Sequence, residues 1–175
     1  MGMHAEQRLQ TVDLLGKNGL ERALFASPDS VKWLTGFAPP VQLGPNFFAG
    51  GPPLVWYEDG TFTLIVVDAY RDAACSFGEQ PDGQLVTYLG YTIEQPLAGA
   101  EHLAAALRQI LSSSAKKGGK VGLEEAAATA FVAGVVRDAL SDKLEWIHID
   151  GWLEPLRMIK TGEELVKLRE NFALT

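Results

Sequence analysis

Apolar residues recur along this chain in two rhythms, every three to four positions and every second position, and the switches between them predict alternating helices and strands. Leu9, Val12, Leu14 and Leu15 fall on one helical face, and Asn18-Gly19 supplies the left-handed residue that stops that helix. Residues 22–26 read as a short buried strand. Ser27-Pro28-Asp29 then gives an N-cap with proline at the first helical position, opening a short helix that ends near Gly36. Residues 54–57 and 61–67 flank Glu58-Asp59-Gly60, the pattern of a hairpin with a turn glycine.

The second half continues in the same way. Residues 68–77 predict a short helix and 84–89 a strand. Pro96 precedes an amphipathic helix carrying Leu103, Leu107, Ile110 and Leu111 on one side. Lys116-Lys-Gly-Gly-Lys120 is a turn, 121–123 a strand, 126–140 a helix with Val132, Val135, Val136 and Leu140 aligned, and 144–149 the last strand. Thr161 and Glu164 form a capping box for a final helix with Leu165, Leu168 and Phe172 on one face. Such alternation, with one hairpin in the middle, predicts an α/β fold: a mixed sheet of five to six strands with helices on both faces.

Composition narrows the function. The 175 residues suit a single domain. A net charge of −7 disfavours nucleic acid or an anionic membrane as partner. The stretch from Trp33 to Tyr57 has no charged side chain, but Pro39, Pro40, Pro45, Pro52 and Pro53 forbid a continuous spanning helix. The N-terminal residues turn polar at once and lack the apolar core of a secretory signal, so the expected compartment is the cytoplasm.

Candidate chemistry is sparse. His4, His102 and His148 have no second His or Cys at ligand spacing, and packed or exposed roles are the expectation. There is no G-x-S-x-G elbow. Cys75, the single cysteine, lies among Ala73, Ala74 and Phe77 and reads as a buried, inert thiol. Gly118-Gly119-Lys120 precedes a strand, the wrong order for a phosphate loop. Glu124-Glu125 reads as the acidic first turn of the following helix. The loop from Gly36 to Pro53 is different. It holds Phe37, Val41, Phe47 and Phe48, with Gln42 and Asn46 as its polar side chains, so it either packs on itself or covers a substrate or partner subunit.

Three segments carry a family resemblance that spans nearly the whole chain. Ser27-Pro28 followed by Val31-Lys-Trp-Leu-Thr-Gly-Phe37 resembles the SP-x-x-x-x-YLTGF segment of the creatinase/prolidase (pita-bread) N-terminal domain, with Trp33 in place of the usual Tyr. Lys120-Val-Gly-Leu-Glu124 resembles that family's strand between its two long helices. Leu156-Arg-Met-Ile-Lys160, with Thr161-Gly-Glu-Glu-Leu165 and Leu168-Arg169, resembles the junction with the catalytic domain.

The resemblance implies a ribonuclease-H-like α/β domain over residues 4–160, with 161–175 the start of the first helix of a catalytic domain that is absent. It implies a parent hydrolase, a metallopeptidase of the aminopeptidase P or prolidase (Xaa-Pro dipeptidase) kind, with two divalent ions (Mn, Co or Zn) in the missing C-terminal domain. This chain would then have no catalytic residue, no metal ligand and no cofactor of its own. Its partners would be its own catalytic domain and a second copy in a homodimer. The loop after Thr35-Gly36-Phe37 would reach the rim of the partner subunit's active site, placing Phe37, Asn46, Phe47 and Phe48 there. Two alternatives stay open: a stand-alone ligand- or protein-binding module of the same fold, and the N-terminal domain of a creatinase-like hydrolase acting on a non-peptide amide.

Overall fold

The computed structural model describes residues 4–38, 50–140 and 144–173. Its framework is one six-stranded mixed sheet in the order β4-β3-β2-β1-β5-β6. The strands are β1 (Arg22–Phe25), β2 (Leu54–Glu58), β3 (Thr61–Val67), β4 (Gly83–Tyr88), β5 (Gly119–Leu123) and β6 (Leu144–His148). β1, β2 and β3 pair antiparallel. β4 is parallel to β3, and β5 and β6 continue the sheet parallel to β1. The hairpin between β2 and β3 turns at Asp59-Gly60, both with positive φ, 49° and 86°.

The described residues form seven helices, α1 (Ala5–Lys17), α2 (Pro28–Thr35), α3 (Arg71–Gly78), α4 (Gly99–Leu111), α5 (Ala130–Ala139), α6 (Glu154–Met158) and α7 (Gly162–Ala173), of which α7 leaves Leu165, Leu168 and Phe172 exposed rather than packed on the sheet. Side chains alternate along β1, so Leu24 enters one core and Ala23 and Phe25 the other. On one face Leu24, Trp56, Ile65 and Val121 meet Leu103 and Leu107 of α4 and Val132 and Val136 of α5. On the opposite face Phe25, Val55, Phe62 and Leu64 meet Leu15 of α1, Val31 and Leu34 of α2, and Phe77 of α3. A helix layer on each face is the architecture the alternating pattern predicts, with six strands.

Some local details differ from the sequence expectations. α1 turns inward not along Leu9, which is 58% exposed, but along Gln7, Arg8, Thr11 and Leu15; Val12 and Leu14 are half-buried. The predicted helix at 68–77 opens with a 3-10 turn, Asp68–Tyr70. α5 begins at Ala130 rather than Ala126, because Thr129 caps it by accepting the N–H of Val132 at 3.2 Å. α6 is an element the periodicity did not predict. The capping box of α7 is present in both directions: the Thr161 N–H donates to Glu164 at 2.9 Å and the Glu164 N–H to Thr161 at 3.2 Å. Among the described residues, no helix is long and apolar enough to cross a membrane.

Candidate functional site

Ser27, at the end of β1, caps α2 by accepting the Ser30 N–H at 3.1 Å, as the Ser-Pro pair predicts. At the other end of α2, Gly36 adopts φ 76°, closing the helix by donating to the Lys32 carbonyl at 2.8 Å. A Cβ there would lie 2.8 Å from the tip of the His4 ring, which would have to shift, but it is the positive φ that restricts the position to glycine.

Phe37 follows at once, and its backbone N–H donates to Thr35 Oγ1 at 3.1 Å. Its ring is 5% exposed and packs 5.8 Å from that of Tyr70. With Thr35, Gly36, Ala73, Ala74, Phe77 and others it lines a notch of about 230 Å³. Phe37 is thus a buried anchor at the start of the loop. Asn46, Phe47 and Phe48 lie outside the described residues. Where the chain returns, Gly50 rests on the start of α4 and the Tyr88 hydroxyl donates to the Gly51 carbonyl at 3.3 Å. Burial pushes the Tyr88 phenol far above its ordinary range, so it serves as a neutral donor.

A second polar centre lies at the carboxyl ends of β1, β5 and β6. Glu124, directly after β5, turns its carboxylate away from its own following helix toward the start of α2. It accepts the N–H groups of Ala26 and Ser27, each at 2.8 Å, and the Ser30 hydroxyl at 2.5 Å. The reading of Glu124-Glu125 as the acidic first turn of α5 is therefore corrected. Glu125 instead pairs with Arg137 at 2.6 Å and with His148 Nδ1 at 2.9 Å. Asp29, in the first turn of α2, binds Arg157 of α6 at 2.9 Å. Ser27, Asp29, Ser30, Asp150, Glu154 and Arg157 border a cleft of about 310 Å³ above Glu124. One end of the sheet thus gathers residues from all three segments that carried the family resemblance.

Two further clusters escaped the sequence reading. Arg8, 1% exposed, grips Asp82 through Nε and Nη2 at 2.7 and 2.8 Å, Gln80 at 2.6 Å and the Leu34 carbonyl at 3.0 Å. Glu58 accepts Lys117 at 2.8 Å, Trp56 Nε1 and the Ser113 hydroxyl, each at 3.3 Å, and the Ser114 hydroxyl. Cys75, expected to be buried, is exposed, its thiol donating to the Asp72 carbonyl at 3.0 Å. Its outward position follows from α3, which buries Ala74 and Phe77 instead. Among the described residues, no group of three or more His, Cys, Asp or Glu side chains converges as a metal would require, so they do not fit a two-metal centre and no metal-dependent step is assigned to them.

Residues 7–159 match the creatinase/prolidase N-terminal domain. The chain belongs to that family. Solved structures share the creatinase/prolidase N-terminal fold at low sequence identity. A proline dipeptidase from Streptococcus pneumoniae superposes with TM-score 0.65 at 16% identity, over 91% of this chain and 100% of that one. A Creatine_N superfamily domain of a dipeptidase from Streptococcus thermophilus gives 0.60 at 14%, over 89% and 98%. Recombinant prolidase from Thermococcus sibiricus gives 0.66 at 19%, over 94% of this chain but 40% of that one, so this creatinase/prolidase domain spans about two fifths of that enzyme. No curated protein matches the sequence.

Proposed function

We propose that this chain is the non-catalytic N-terminal domain of a cytoplasmic Xaa-Pro peptidase-like metallohydrolase, where it builds a homodimer and lends the 38–53 segment to the rim of the partner subunit's active site. The observation that carries the reading is a contrast in coverage. The chain accounts for 98% of the S. thermophilus dipeptidase domain but only 40% of the T. sibiricus prolidase. In this reading two divalent ions (Mn, Co or Zn) belong to a C-terminal domain and supply the activated water. The residues of this chain would bind and exclude. Asn46, Phe47 and Phe48 would form an apolar wall that keeps water from a proline-containing substrate, while Phe37 anchors the segment in the core.

Incubated with an Xaa-Pro dipeptide and Mn²⁺, the chain is expected to release proline no faster than a protein-free blank. Turnover abolished by a chelator would overturn the non-catalytic assignment. Sedimentation of the 19.0 kDa chain is expected to show a species of twice that mass. A monomer at every concentration would remove dimerisation from the proposal.

A further inference from the structure

β1 and β5 are adjacent and parallel, and the chain leaves their carboxyl ends toward opposite faces of the sheet. After β1 it enters α2, whose Val31 and Leu34 pack with Phe25 and Val55. After β5 it passes through a turn into α5, whose Val132 and Val136 pack with Leu24 and Leu123. Diverging connections open a crevice outside the strand ends, and in open α/β sheets ligands bind in such a crevice. Here its innermost position is filled by a side chain of the protein itself. Glu124 is 3% exposed, and the N–H groups of Ala26 and Ser27 and the Ser30 hydroxyl all point at its carboxylate. The Ser27 hydroxyl supports that arrangement by donating to Ser30 Oγ at 2.8 Å. Two amides and a hydroxyl at the positive end of a helix are the donor set that a bound anion requires.

We propose that this crevice is a carboxylate-binding site in which Glu124 is the internal ligand, and that a small free carboxylate takes its place when the side chain is removed. An internal ligand explains how the site coexists with its surroundings. Asp29, Asp150 and Glu154 border the cleft with one cation, Arg157, paired to Asp29; the net negative rim weakens the hold on a free anion, whereas a carboxylate tethered to β5 is delivered by folding. Its role is positional. Glu124 ties the end of β5 to the entry of α2, Asp29 on α2 holds Arg157 of α6, and α6 leads into α7.

Truncation to alanine removes a CH₂–COO⁻ fragment, the size of acetate. E124A is expected to lower the thermal midpoint by roughly 10 °C. Replacing chloride stepwise by acetate at constant ionic strength should restore at least half of that loss while leaving the wild type unmoved. Acetamide, of the same size but uncharged, should restore far less. No recovery with acetate, equal recovery with acetamide, or an equal rise in the wild type would each overturn the proposal. Should E124A not fold, E124M keeps the length of the side chain but offers the Ala26 and Ser27 N–H groups no oxygen acceptor. Amide hydrogen exchange at Ala26 and Ser27 should then accelerate by about tenfold or more. Unchanged exchange at both amides would overturn the assignment.

Discussion

Glu58 shows how a single side chain can fasten two distant turns. Burial alone would raise its pKa, but hydrogen bonds from Lys117, Ser114 and Trp56, with the Lys117 charge, outweigh that and hold its carboxyl below the usual glutamate range. A lowered folded-state value means that the unfolded chain binds the proton more readily, so stability from Glu58 is complete above about pH 5 and is lost as pH falls through the folded value. E58Q is expected to cost about 1–2 kcal/mol at neutral pH in urea unfolding, with the gap to wild type closing below about pH 4. Residues of this kind were not legible in the sequence. Arg8 finds its acceptors in Asp82 and Gln80, more than seventy positions away, and nothing around Arg8 announces them. Leu9 was the natural candidate to face inward, but the pairing of Arg8 fixes how α1 is rotated. Glu124 was misread for the same reason: its partners at Ala26, Ser27 and Ser30 come from the other end of the chain. The helix caps at Ser27 and Thr161, whose partners lie three residues on, were readable.

At the level of elements, the strong periodicities of α4 and α5 and the Asp-Gly hairpin translated directly, because each is set by neighbours close in sequence. α6 is too short for its period to register, and the start of α5 was displaced because Ala126, Ala127 and Ala128 look helical while a turn occupies them. The candidate loop was visible from composition alone, and its anchoring is what the structure adds. At its return, Gly50 has φ +71°, and a Cβ would lie 2.2 Å from the Gly99 carbonyl oxygen. Gly50→Ala is therefore expected to destabilise by about 2–4 kcal/mol, measured by urea unfolding, through both backbone strain and displacement of the first turn of α4. A substitution with no effect would mean that the loop base and α4 separate easily.

For the molecule as a whole, the two cores share one sheet, so neither can be lost while the other persists. Trp33 lies in the α1–α3 core and Trp56 in the α4–α5 core, 6% and 2% exposed. With Trp146 and Trp152 replaced, each variant retaining only one of these two tryptophans should give the same urea midpoint by fluorescence as by far-UV circular dichroism; midpoints that separate within one variant would show two independently unfolding halves. The strand order carries a further consequence for synthesis. β1 pairs on one side with β2 but on the other with β5, whose first residue is Gly119. At about 5–20 residues per second, a ribosome needs roughly 5–20 s to make the intervening chain. Throughout that interval the nascent protein carries an unzipped apolar strand edge, which closes only once residue 123 has been made.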